Sequence, residues 1–183
     1  RKQGPPKNPP KPPALARIQG PAVPAPFPAF SKLNLHFTVP DLFVPSHDLP
    51  LRFTRTYDSS LGRTVSSSLG PGWTHSYNIG LQLGGGDPER VLFTDGEGKR
   101  YAFERRLDGS YVSPPLIRAT LTEDDDRTSY TLTLKDRTRY LFNQDGRLEA
   151  AVTKSKNALR FAYNEQGRLV QVASSSGAQL DLG

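Results

Sequence analysis

Between residues 51 and 182 the chain alternates short runs of β-branched, aromatic and aliphatic residues with clusters of Gly, Asp, Asn and Ser. Runs of four to eight such residues bounded by turn formers read as strands, and their close spacing reads as serial hairpins. The predicted strands are 51–57, 74–83, 90–94, 100–104, 111–113, 119–123, 129–134, 139–143, 148–153, 159–164, 169–174 and 179–182. Helices are nearly absent from this reading. Turns are expected at Asp95-Gly96, Asp108-Gly109, Asp145-Gly146 and Gln166-Gly167, where glycine takes the positive φ that a tight hairpin loop demands.

The pattern repeats. Arg139-Tyr140-Leu141-Phe142-Asn143 aligns with Arg160-Phe161-Ala162-Tyr163-Asn164, and Gly146-Arg147-Leu148 with Gly167-Arg168-Leu169, at an offset of about 21 residues. Leu159 and Leu180 keep the same step, and a weaker copy begins at Arg100-Tyr101-Ala102-Phe103 and reaches its turn at Asp108-Gly109. A unit of this length is one hairpin. It cannot bury its own apolar face, so neighbouring units must pair side by side into a continuous sheet or solenoid. Period-two alternation sets Tyr140 and Phe142 on one face, and likewise Phe161 and Tyr163. These rings are expected to meet as a cross-strand ladder between successive hairpins. Arg147 and Arg168, each following a turn glycine, can pack a stem on those rings or bond the next turn.

Residues 1–50 are different in kind. They hold 13 of the 17 prolines, and each one fixes φ and removes an N–H. Helix and central strand are therefore excluded, leaving an extended or polyproline II arm over 1–40 and a folded part over 41–183. Phe27, Phe30 and Phe37, with Leu33 and Leu35, are apolar anchors that a pure linker does not need, so docking is expected from about residue 20.

Charge follows the same division. The net +6 resides in Arg1, Lys2, Lys7, Lys11, Arg17 and Lys32, whereas residues 41–183 carry 18 basic and 18 acidic side chains. A sparse basic leader without interleaved aromatics is not a nucleic-acid footprint, and no nucleic-acid partner is expected. No run approaches the length of a membrane span. The chain lacks Cys and Met, which removes disulfides and thiolate metal sites and is expected of a processed or truncated chain.

Candidate chemistry is thin. Gly70-Pro71-Gly72 forms a tight turn that delivers Trp73, the sole Trp, into a strand where Trp73, His75 and Tyr77 share a face as a packing cluster. His75 lacks the carboxylate, thiol or second histidine that a base or metal ligand needs; His36 and His47 have no ligand spacing to it. Glu123-Asp124-Asp125-Asp126 lacks the alternation and glycine of a calcium loop and reads as a solvated hairpin tip. Gly84-Gly85-Gly86-Asp87 has no following Lys or helix and reads as a loop, not a phosphate cradle. Ser66–Ser68 and Ser174–Ser176 have no elbow turn and no partnered histidine. No enzyme activity, cofactor or metal is expected.

The repeat, aromatic-x-Tyr/Phe-Asn-x-x-Gly-Arg-Leu, resembles the YD repeat (Tyr-Asp-x-x-Gly-Arg-Leu) of Rhs proteins, toxin-complex cocoons and teneurins, with Asn143 and Asn164 in place of the family Asp. The stretch from Leu49 to Ser59, followed by Leu69-Gly70-Pro71-Gly72-Trp73-Thr74-His75-Ser76-Tyr77, is similar to the segment that opens the repeat region of bacterial Rhs and wall-associated polymorphic toxins. The resemblance covers roughly residues 40–183. It implies an all-β hairpin array that forms part of a wrapped shell, a cocoon that encloses a C-terminal toxin domain in a secreted bacterial effector. The implied partners are the remainder of the shell, its enclosed toxin, and a spike or chaperone of a secretion system such as type VI, with delivery into a competing cell. The teneurin branch implies an alternative, a cell-surface adhesive or carbohydrate-binding protein whose repeat aromatics contact glycan. Burial of Tyr140, Phe142, Phe161 and Tyr163 separates the two. The family's toxin-releasing aspartates have no counterpart in these residues.

Overall fold

The computed structural model describes residues 34–46, 49–62, 67–84 and 89–182. Residues 34–183 form one compact unit. The expectations for Phe27, Phe30, Leu33, His47, Ser66 and residues 85–87 lie outside the described residues.

The described chain is all-β: fourteen strands and no helix. In order they are β1 (His36–Val44), β2 (Leu51–Asp58), β3 (Trp73–His75), β4 (Gly80–Leu83), β5 (Arg90–Thr94), β6 (Arg100–Arg105), β7 (Tyr111–Val112), β8 (Ala119–Glu123), β9 (Ser129–Leu134), β10 (Arg139–Asn143), β11 (Leu148–Val152), β12 (Ala158–Tyr163), β13 (Leu169–Ser174) and β14 (Gln179–Asp181). Within each sheet, strands adjacent in sequence pair antiparallel, giving three meanders: an opening sheet β1-β2-β3, a middle sheet β4-β5-β6-β7 and a seven-stranded repeat sheet β8 to β14. Short loops make this the cheapest topology, because each strand finds its partner with little closure entropy.

β1 runs across the boundary expected after residue 40. It is an edge strand, the place where a ladder tolerates proline, and its register shifts between Pro40 and Leu42. Phe37, expected as an arm anchor, sits directly opposite Tyr57 in this strand.

One long strand was expected over 74–83, and the structure divides it. After β3 the chain turns, with the Asn78 N–H donating to the His75 carbonyl (2.9 Å), and resumes as β4 in another sheet. The corner packs tightly: a Cβ on Gly96 would lie 2.5 Å from the Ser76 carbonyl oxygen. Trp73 and His75 therefore share the strand β3, while Tyr77 lies in the corner itself.

One apolar cluster joins all three sheets. Leu51 comes from the opening sheet, Phe93 and Phe103 from the middle sheet, and Leu132, Phe142, Leu148 and Val172 from the repeat sheet, each almost fully buried. The alternation read from the sequence is visible directly in β8, where Ala119 and Leu121 are buried and Thr120 and Thr122 exposed.

Candidate interaction cleft along the repeat turns

Seven hairpin loops share one geometry. In 95–99, 106–110, 134–138, 143–147, 153–157, 164–168 and 174–178 the first residue's N–H donates to the fifth carbonyl, and the fourth N–H donates to the first carbonyl. The fourth residue is left-handed in each: Gly98, Gly109, Arg137, Gly146, Lys156, Gly167 and Gly177 all have φ between 67° and 91°. At Asp95-Gly96 the positive φ thus falls on Gly98, two residues past the expected glycine. Arg137 and Lys156 hold this conformation with a side chain, at a cost of about 1 kcal/mol each relative to glycine.

The asparagine of the repeat explains itself here. Asn143 Oδ1 accepts from the N–H groups of Asp145 and Arg147 (both 3.0 Å), and Asn164 Oδ1 accepts from Gln166 (3.1 Å) and Arg168 (2.9 Å). A side-chain oxygen that bonds its own backbone two and four residues on closes the loop from inside. Asp95 does the same for Glu97 and Lys99, so a carboxylate and an amide are interchangeable in this role.

Successive turns at one end of the repeat sheet are stacked. The Leu81 N–H of β4 donates to the Gly146 carbonyl at 2.8 Å, and a Cβ on Gly146 would lie 2.1 Å from the Leu81 oxygen. Arg147 extends over the next turn, where a Cβ on Gly167 would lie 2.7 Å from its Nη2. Of the two roles open to this arginine, the structure takes contact with the next turn. Arg168 is exposed and makes no ion pair among the described residues.

The repeat aromatics do not form the expected ladder. β11 separates β10 from β12, so rings on alternate strands lie about 10 Å apart, with Leu148, Ala150 and Ala151 between them. Three of the four rings meet residues outside the repeat sheet instead. Tyr140 stacks on Phe93 at 6.5 Å, Phe142 meets Phe93 edge-on at 6.4 Å, and Tyr77 meets Phe161 edge-on at 5.5 Å. Phe142 and Phe161 are buried, and Tyr140 and Tyr163 are half-buried. The Tyr163 hydroxyl donates to the Leu148 carbonyl (2.9 Å), and burial pushes its pKa up to about 12.

The opening motif lies across from these turns. Gly70 and Gly72 have φ of 96° and 77°, and a Cβ on Gly72 would lie 2.8 Å from the Tyr57 ring. Pro71 between them is exposed. Phe37, Tyr57 and Trp73 form a three-ring cluster with centroids 5.3 to 5.5 Å apart, and Arg55, held by Asp41, covers the Trp73 ring. His75 stacks on Phe53 at 5.2 Å, and its Nδ1 accepts from the Tyr77 N–H. Burial depresses its pKa to about 4, so it is neutral at pH 7. The Tyr77 hydroxyl accepts from the Arg52 N–H at 2.8 Å.

Between the opening motif and the stacked turns lies a cleft of about 1130 Å³, walled by Phe53, His75 and Tyr77 on one side and by Arg147, Tyr163 and Arg168 on the other. Among the described residues no group of three His, Asp or Glu is placed to hold a metal ion. The cleft gathers stacked rings and guanidinium groups.

A second constellation escaped the sequence reading. Glu123, expected in a solvated acidic tip, accepts from Arg105 (2.5 Å) and from the Tyr111 hydroxyl (2.8 Å), tying β6 and β7 to β8. Its side chain is only 12% exposed, which makes it a clasp between two sheets. Asp124 closes its own loop through Thr128 and Ser129, and their hydrogen bonds lower its pKa to about 2; Asp125 and Asp126 remain exposed. Nothing local in sequence links Arg105 to Glu123, 18 residues away.

Residues 34–103 match the model of a family described as a domain of unknown function, DUF6531. The match spans the opening sheet, β4 and β5, and ends within β6. A search of curated proteins found no match to this chain.

Proposed function

We propose that this chain is a structural wall segment, the start of a YD-repeat β-shell of the Rhs type that encloses a C-terminal toxin domain for delivery into another cell. One observation carries the reading: the unit beginning at Arg139 buries its rings Tyr140 and Phe142 against Phe93 of the middle sheet, and its Arg147 lies against Gly167 of the following unit. Such units are mutually dependent pieces of a wall. The glycan-binding alternative needs the repeat rings open to solvent; Phe142 and Phe161 are buried, and Tyr140 and Tyr163 are half-buried, with Tyr163 at the wall of the cleft. In this role the residues of the opening motif act by packing, with no chemical step assigned to them. The shell's other segments and its cargo are the partners, with a secretion-system spike or chaperone outside.

Electron cryomicroscopy of the intact gene product, together with limited proteolysis of its C-terminal domain, tests the proposal. A hollow shell with this segment in its wall and a C-terminal domain cut only after the shell is opened are the expected results. A solid particle, or a C-terminal domain cleaved at the rate of a free domain, would refute it.

A further inference from the structure

The two ends of the repeat sheet differ in charge. Because the meander alternates, loops 134–138, 153–157 and 174–178 leave it at one end, and loops 124–128, 143–147 and 164–168 at the other. Loop 113–118 belongs to the first end: Ala119, which follows it, pairs with Leu134, and Arg118 lines one hollow with Lys135 and Asp136. That end carries five cations, Arg118, Lys135, Arg137, Lys154 and Lys156, and a single acid, Asp136. The far end carries five acids, Asp124, Asp125, Asp126, Asp145 and Glu165, against three arginines. The five cations of the first end are all exposed, and none of them makes an ion pair among the described residues. Asp136 is turned onto its own loop, where its Oδ1 accepts from the Thr138 N–H at 2.9 Å. At the usual strand spacing the row of cations from β8 to β12 extends over about 20 Å.

Two of these cations stand where the backbone disfavours them. Arg137 and Lys156, at φ of 67° and 68°, occupy the fourth loop position that glycine fills in the other five shared loops. Arg127, left-handed at the far end, lies 3.7 Å from Glu123, whereas Arg137 and Lys156 have no acidic partner among the described residues. A conformation held against its own preference points to a use for the side chain. An apolar tip stands beside the row. Leu116 is 89% exposed, set out by a turn in which the Ile117 N–H donates to the Pro114 carbonyl (3.2 Å) while Ile117 packs against the core.

We propose that this end of the repeat sheet is a docking surface for an anionic lipid membrane, with the five cations meeting headgroup phosphates and Leu116 entering the boundary beneath them. Separate point charges on flexible stems suit a fluid field of headgroups. The four loops carry no aromatic ring on which a nucleic-acid base could stack, which favours lipid over a single strand. Apolar burial and electrostatic attraction add in such a peripheral contact. The acidic far end orients it, being repelled by the same surface. The inference goes beyond the wall reading and does not rest on what the chain encloses.

The probe is a phosphatidylcholine vesicle with about 30 mol% phosphatidylserine, and binding of the intact gene product is measured by co-sedimentation at stepped salt. Binding is expected that weakens as salt rises and is lost on pure phosphatidylcholine. Arg137→Gly together with Lys156→Gly relieves two left-handed side chains, so the fold is kept, and should weaken binding about twentyfold, from about fivefold for each cation at the surface. Leu116→Ser should weaken it by about fivefold more. Arg127→Gly, the same exchange at the far end, should leave it unchanged. Absence of vesicle binding, binding that ignores Arg137 and Lys156, or an equal loss in Arg127→Gly overturns the proposal. A single-stranded oligonucleotide bound in place of the vesicles, with the same dependence on Arg137 and Lys156, overturns the lipid assignment. Each of these results leaves the wall reading to be decided by its own imaging and proteolysis.

Discussion

The opening sheet and the repeat sheet reach the same cluster by different means. In the repeat sheet every buried residue is apolar or aromatic, and β8 to β14 are joined by one loop design with a single longer exception at 124–129. In the opening sheet the chain buries Thr56, Thr74 and His75, the buried polar residues of the described chain, and bends its edge strand at Pro40. Periodic sequence yields similar units that bury apolar side chains and close their turns with the same asparagine hydrogen bonds. The irregular region carries particular polar contacts that cannot be slid by one repeat, and so fixes where the array starts.

Five changes break or sharpen that contrast. Phe142→Ala removes a ring packed against Phe93 at the centre of the shared cluster, and a loss of about 3–5 kcal/mol is expected by urea denaturation. Gly146→Ala forces a methyl group against the Leu81 carbonyl in a left-handed backbone, and about 3 to 4 kcal/mol should be lost. Gly177→Ala, with the same handedness and open space around it, should cost only about 1 kcal/mol.

The fourth change is in pH. His75 stays neutral in the fold down to a pKa of about 4, whereas the unfolded chain takes up the proton near the ordinary histidine value of 6.5. Stability from this residue is whole above pH 6.5 and falls as the pH drops to 4, by on the order of 3 kcal/mol. The slope should vanish in His75→Gln, measured by urea melts at stepped pH, while substitutions in the repeat sheet leave it in place. The smallest effect is a gain: Lys156→Gly relieves a left-handed side chain and should stabilise by about 0.5 kcal/mol, read as a rise in melting temperature.

Much of this architecture was legible before any coordinates. The strands 90–94, 119–123, 129–134, 139–143 and 169–174 have the same bounds in the structure, because each is an alternating run closed on both sides by turn residues. The repeat offset located the turns at Gly146 and Gly167 and the arginines that follow them. The division at Ser76–Ile79 was illegible because the corner follows from the approach of Gly96, a contact across 20 residues. The ring ladder failed for a related reason: sequence placed Tyr140 and Phe161 on one face, but only the third dimension set β11 between them and Phe93 above. The Glu123 clasp depends on Arg105 and Tyr111 from two other strands, and no periodicity encodes it.

The seven shared loops fall alternately at the two ends of their sheets. At one end of the repeat sheet a neighbour already occupies the space above each turn; at the other, Gly177 has nothing within 4 Å, and Lys156 is exposed. Insertions should therefore be accepted on that second rim and rejected on the first. An epitope or a fluorophore-bearing loop grafted between Ser175 and Ser176, or between Lys154 and Ser155, would ride on the outside of the stack without altering its pitch, which makes that rim the natural handle for labelling the array.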